Sequence, residues 1–291
     1  MSPDGLYARG ETPRTVSENA QLALLLEVAG TPKPGNVDRR REYPDLRFEH
    51  LLAGAVGARA GLAAAADGAR VGAAFERAVA GMSRQSAGNT QFGAVLLLVP
   101  LVRATAQKRG ALTPEAAEGV VEETTVEDAV DFYRAFDHVD VAVGDPPEES
   151  DLPDVRRGSG AETALRNRGL TLADVMAGSA DRDGVAREHA RGFERTFRAA
   201  DRIADADGPV ADRASSAYLA ALASEPDTLV VTSHGPETAA EVQRRAALVR
   251  DGETDAEAVA SELVDRGINP GTTADLVAGG LFVALERGLE V

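Results

Sequence analysis

Apolar side chains recur along this chain three and four positions apart, the spacing of one helix face, and almost nowhere at alternate positions. The first clear block opens with the capping box Thr15-Val16-Ser17-Glu18. It continues through Ala20, residues 22–26 and Val28 as a helix that is apolar nearly all round. Such a helix belongs at the centre of a bundle. From Arg47, the residues Phe48, Leu51, Leu52, Ala55, Val56 and Leu62 mark a second helix. Its Gly54, Gly57 and Gly61 suit close helix packing, since the chain has no G-x-x-x-x-G-K-[ST] phosphate loop. Val71, Phe75, Ala78, Val79 and Met82 mark a third. A polar turn over residues 86–93 then enters an apolar helix over residues 92–107. Thr113-Pro114 and Thr125 open two more helices in cap order, and Thr171 opens a short one. Residues 183–205 read as one long amphipathic helix built on Val185, Phe193, Phe197, Ala200 and Ile203. The preceding Asp181-Arg182-Asp183-Gly184 reads as its cap, because further calcium ligands are missing.

Residues 210–224 are helical by the same spacing, whereas residues 227–232, Asp-Thr-Leu-Val-Val-Thr, are the one β-like run. Two helices follow, the second opened by a capping box at Thr254 and Glu257 and closed at Gly267. A last helix carries Leu276, Val277, Phe282, Leu285 and Leu289. The tally predicts an all-α fold, a single multi-helix bundle of about ten helices spanning residues 1–291. Residues 145–160, rich in Pro, Gly and charge, read as a flexible loop near the site or between lobes, and residues 1–14 as a loose arm.

Composition narrows the chemistry. The chain has no cysteine, which excludes thiolate catalysis and Cys-based metal sites, and its 4 histidines (His50, His138, His189, His234) are scattered. The formal net charge of −16 argues against nucleic acid or an anionic membrane as partner. Only Lys33 and Lys108 are lysines. Acid excess with so little lysine suggests a salt-loving cytoplasm, although GC-rich coding has the same effect on lysine. The first 16 residues lack the apolar core of a signal peptide. The longest apolar run, residues 92–102, contains Pro100 and is too short to span a bilayer. A soluble, cytoplasmic protein is the expectation.

Three polar turns are candidates for function. The first, Thr31-Pro32-Lys33-Pro34-Gly35-Asn36-Val37-Asp38-Arg39-Arg40, is barred from helix by its prolines and Gly35. A stiff connector bearing both charge signs suits a metal–phosphate group, or is an ordinary loop with solvated charges. Glu27 just before it is either a functional carboxylate or the exposed edge of its helix. The second turn, Asn89-Thr90, leads into an apolar helix, either as an anion-binding N-terminus or as a plain cap. The third, Asn269-Pro270-Gly271-Thr272-Thr273-Ala274-Asp275, ends in a carboxylate that could also just offset the helix dipole. Ser233-His234 offers no hydrolase signature, since G-x-S-x-G is absent.

Taken together, residues 22–28 with Thr31-Pro-Lys-Pro-Gly-x-Val-Asp-Arg-Arg40, the Asn89-Thr90 turn, and Pro270-Gly-x-x-Ala-Asp-Leu276 resemble the triphosphoribosyl-dephospho-CoA synthases. The resemblance implies an all-helical enzyme that joins the ribose of ATP to dephospho-CoA and releases adenine. It implies Lys33, Asp38 and Asp275 as catalytic residues, and Asp38 and Asp275 as ligands of Mg²⁺. Lys33, Gly35, Arg39, Asn89, Thr90, Gly271, Thr272 and Thr273 would bind nucleotide, Arg40 would assist, and Glu27 and Asp131 are further carboxylate candidates. For these motifs to act together, the connector and the third turn must meet in space. The chain also departs from the family pattern. Arg41-Glu42-Tyr43-Pro44-Asp45-Leu46 stands where the family carries Gly-Ala-His-x-Asp-Met, and Gln91-Phe92 stands where it carries His-Lys. The expectation for ATP as donor is therefore firmer than that for dephospho-CoA as acceptor, and a related acceptor or a non-catalytic nucleotide-binding role are the alternatives.

Overall fold

The computed structural model describes residues 14–107, 112–146 and 151–291. Among them the chain forms fifteen α-helices and no strand. These are α1 (Val16–Ala29), α2 (Phe48–Ala66), α3 (Val71–Met82), α4 (Phe92–Gln107), α5 (Pro114–Glu122), α6 (Val126–Ala135), α7 (Glu162–Arg168) and α8 (Leu172–Ser179). Then follow α9 (Gly184–Ala190), α10 (Glu194–Asp205), α11 (Val210–Ser224), α12 (Thr228–His234), α13 (Pro236–Arg250), α14 (Ala256–Asp265) and α15 (Gly271–Glu286). The all-α expectation holds, but the helix count exceeds the ten expected, because several apolar stretches are divided by short breaks. No helix among the described residues is long and apolar enough to cross a membrane.

The starts of α1, α5, α6 and α8 fall where the sequence placed them, with Thr15, Thr113, Thr125 and Thr171 each accepting a backbone N–H of the first turn. Three expectations are corrected. Residues 183–205 are two helices, because Gly192 and Phe193 both take positive φ (62° and 60°) and turn the chain between α9 and α10. The β-like run at 227–232 is helix α12: Asp227 accepts the N–H groups of Leu229 and Val230, and this cap outweighs the β preference of a short Val-Thr run. Helix α14 is capped by Asp255, not Thr254, with the Glu257 N–H donating to the Asp255 carboxylate. Residues 1–13 and 147–150, which include most of the expected arm and part of the expected loop, lie outside the described residues, as does Lys108. Residues 155–161 of that loop form a 3-10 turn.

Helix α15 is the axis of the bundle, buried almost throughout and flanked by α1, α4, α10 and α11. Helices α2 and α3 cross at Gly57 and Gly81, where a Cβ on Gly57 would lie 2.2 Å from the Gly81 carbonyl oxygen. The small residues read as packing sites do that work. Pro100 inside α4 has no N–H, so the Leu96 carbonyl lacks its helix donor. The buried His189 of α9 fills the gap, donating from Nε2 to the Leu96 oxygen at 3.2 Å. Burial holds this imidazole neutral, with a pKa pushed down to about 4.

Candidate active site

The connector is wound around its own charges. Asp38, 1% exposed, accepts from Thr31 Oγ1 (2.9 Å), Lys33 N (3.1 Å), Arg40 N (2.7 Å), Arg41 N (3.0 Å) and the Arg41 guanidinium (3.0 Å). Lys33, also 1% exposed, donates to Glu27 of α1 and to Asn36 Oδ1 (2.8 Å), with its ammonium 5.9 Å from the Tyr218 ring centre. Helix α11 clamps the same segment: Ser215 donates to the Pro32 carbonyl at 2.6 Å and Tyr218 to that of Pro34 at 2.9 Å. Glu27 is therefore buried rather than an exposed edge, and burial pushes its carboxyl up while the Lys33 ammonium pulls it down. Arg39 and Arg40 are exposed, and Arg40 pairs with Glu257 at 2.7 Å.

The connector and the third turn do meet. Asn36 Nδ2 donates to Asn269 Oδ1 at 2.8 Å, and the Tyr43 hydroxyl lies 2.5 Å from the Gly35 carbonyl oxygen and 3.1 Å from that of Ile268. Gly35 has φ 77°, and a Cβ there would sit 2.4 Å from the Ile268 oxygen, so only glycine fits this crossing.

Past that crossing, the turn delivers the N-terminus of α15 to a cavity of about 670 Å³. Three further helix starts, those of α4, α9 and α12, open on the same space. Asp227 ties two of the starts together: besides capping α12, it accepts from Thr273 N and Thr273 Oγ1, each at 2.7 Å. The Thr228 and Thr272 hydroxyls, both on the cavity wall, lie 3.0 Å apart, and Thr228 also accepts the Gly184 N–H of α9 at 2.9 Å. Asn89 caps α4 by accepting the Phe92 N–H at 3.2 Å. Asp275 faces the first turn of α4, where the Ala94 amide donates to it and a Cβ on Gly93 would come within 2.1 Å of its Oδ2. Burial, reinforced by the carboxylates of Glu27 and Asp227, holds the Asp275 carboxyl well above the usual range. Asp183 and Asp227 are also raised by burial. The cations on the wall are Arg182, which has no ion pair among the described residues, and Arg187, which pairs with Glu225 at 3.0 Å.

Of the residues expected from sequence, Asn89, Thr272 and Asp275 line the cavity, while Lys33, Gly35, Asp38, Arg39, Thr90, Gly271 and Thr273 do not. Thr90 is turned inward against Gly54, its buried hydroxyl unpartnered. Asp131 sits on α6 in an ion cluster with Arg70 (2.6 Å) and Arg134 (3.3 Å), away from the cavity. Asp227, Thr228, Arg182 and Arg187 were not singled out as site residues. The signal for Asp227 was present as an Asp before a short apolar run, the ordinary mark of a helix start.

The described residues thus bring helix N-termini, hydroxyls, arginines and a carboxylate together around one partly apolar cavity, and helix N-termini and arginines are groups that bind phosphates in proteins generally. The family described as ATP:dephospho-CoA triphosphoribosyl transferase (CitG) matches residues 13–290, and the chain belongs to it. Among solved structures, it is similar to a crystal structure from Archaeoglobus fulgidus, of a protein assigned as a triphosphoribosyl-dephospho-CoA synthase. The TM-score is 0.70 and the identity 27%, with 84% of this chain and 100% of that chain covered. No curated protein matches the chain.

Proposed function

We propose that this cavity is where the family's reaction takes place, with Asp275 as its central carboxylate. The carrying observation is that Asp275 stands on the cavity wall where the N-termini of α4 and α15 meet. In the transfer, the ribose C1′–N9 bond of ATP breaks and the electron pair leaves with adenine. The acceptor hydroxyl oxygen bonds to C1′, and its proton is carried to the departing base. Positive charge develops on the ribose as the bond opens, and a carboxylate beside C1′ stabilises it. The triphosphate is retained, so it must be held without being cleaved. The helix starts at Asn89 and Thr272, the Thr228 hydroxyl, Arg182 and Arg187 support that role.

Among the described residues no group of three or more His, Asp or Glu side chains is arranged to hold a metal. Mg²⁺ bound with a nucleotide needs only one or two carboxylates besides the phosphates. The oxygens of Asp38 are filled by five protein donors and do not fit such an ion. Asp275, with one side toward the cavity, does fit. When bound, the ion would screen the charge of the triphosphate. Lys33, Gly35 and Asp38 are then read as residues that hold the connector and, through Asn36 and Tyr43, the α15 turn.

Incubation with ATP, Mg²⁺ and dephospho-CoA, followed by detection of free adenine and of the adduct mass, tests this reading. A different acceptor is the second reading, favoured by Gln91 and Phe92. Gln91 is turned into the core to donate to the Leu24 carbonyl at 3.2 Å, and Phe92 is apolar, so neither offers the cavity a charge. Adenine released only with another alcohol would support it. The acid excess and the scarcity of lysine support a high-salt cytoplasm as the setting.

A further inference from the structure

The aromatic half of the cavity wall has a different character. Phe92, Phe132 and Phe136 lie on its wall, with ring centres 4.9 Å apart for Phe92 and Phe136 and 5.4 Å for Phe132 and Phe136. Phe92 and Phe132 are buried behind Phe136, which is only partly covered. The cavity is also bounded there by the irregular segment from Val141 to Gly144. Among the described residues, positions 141–144 make no backbone–backbone hydrogen bond, so their N–H and C=O groups stand free at the cavity edge. The flanks of the segment are tied down. Tyr133 donates to the Pro153 carbonyl at 2.7 Å, and Arg156 bridges Asp145 (2.9 Å) and Asp154 (2.7 Å). A rigid apolar ring wall beside unpaired backbone donors and acceptors is what a flat heteroaromatic ring requires: a face to stack on and an edge to read.

We propose that this half of the cavity is a slot for an adenine ring, with Phe136 as the stacking face and the backbone of residues 141–144 reading the ring edge. It rests on the transferase reading only for which substrate brings the adenine, since donor and acceptor each carry one. Phe92 and Gly93 are adjacent, and Gly93 abuts Asp275. A base seated on the ring wall therefore places its glycosidic bond toward the carboxylate, which favours the donor's base.

Free adenine titrated into the wild-type protein and into Phe136→Leu tests the slot, because leucine keeps apolar volume but removes the ring face. Val143→Pro, which removes one backbone N–H from the partly exposed segment and adds no charge, is the second variant should the first fold poorly. Binding of adenine about tenfold weaker in either folded variant, with inorganic triphosphate binding unchanged, is the expected result. With turnover present, a raised KM for ATP alone assigns the slot to the donor base, and a raised KM for dephospho-CoA alone assigns it to the acceptor base; both support the slot. Adenine binding unchanged in both variants, or lost pantetheine binding in its place, overturns it. If the protein releases no adenine from ATP with any acceptor, the transferase reading fails, while the adenine titration still decides the slot.

Discussion

The connector and the cavity wall hold the same kinds of residue in opposite conditions. In the connector, Lys33 and Asp38 are almost wholly buried and both are partnered within the protein. On the cavity wall, Asp275 is crowded by like charges and Arg182 has no ion pair among the described residues. A charged side chain whose hydrogen-bonding capacity is already filled holds a shape, and one left wanting a partner is available to a ligand. The density of charge in a motif is thus a poor guide to which of the two it is.

The largest expected effect is at the unsatisfied end. Asp275→Asn should lower turnover at least about a hundredfold, comparable with loss of a positioned acid–base or charge-stabilising group. The folded protein should meanwhile become more stable at neutral pH. The sign follows from linkage: a carboxyl raised on folding binds more protons folded than unfolded, so wild-type stability falls as pH rises from the ordinary Asp value toward the raised one. Each unit of that shift is worth about 1.4 kcal/mol. Thermal melts of both forms should coincide near pH 3 and separate above it; coincidence at pH 7 would show that Asp275 carries no such strain.

Next comes the clasp. Lys33→Ala should cost about 3–5 kcal/mol in denaturant melts, because it strands the Glu27 carboxylate in the core. The double variant Glu27→Leu with Lys33→Met should recover most of that loss and most of the turnover. A folded double variant that remains inactive would return Lys33 to the substrate and break the contrast.

Smaller again is the hydroxyl pair. Thr228→Val or Thr272→Val should raise the KM for ATP several-fold with little change in kcat, as the loss of one hydrogen bond of about 1 kcal/mol predicts. Smallest is Arg39→Ala, at an exposed site off the cavity wall. It should shift stability by less than about 0.5 kcal/mol and leave KM unchanged. A raised KM for ATP there would mean that phosphate reaches the connector.

Fold class was legible because helix signals are local. Thr15, Thr113, Thr125 and Thr171 announce their helices within four residues, and each does cap one. Local signals failed where two of them competed, as at Asp227, where a β-branched run masked the cap. The meeting of connector and third turn was anticipated from shared purpose and is met through Asn36–Asn269 and Gly35–Ile268. The cavity itself was out of reach, because Phe136, Arg182 and Thr228 come from distant segments and none shares a motif with Asp275. Likewise nothing in the order of residues tells that Thr90 turns inward while Asn89 turns out.

The proline in α4 has a consequence for acid tolerance. Because Pro100 leaves the Leu96 carbonyl to His189, α9 is fastened to α4 through an imidazole that burial keeps neutral. Folding lowers this histidine's proton affinity, so the stability it confers is full above the unfolded value near 6.5 and drains away as pH falls toward about 4. Asp183, Val185 and Ala186 at the start of α9 form part of the cavity wall. Acidification should therefore loosen that wall before the bundle as a whole gives way, and hydrogen exchange at the amides of α9 would register it first.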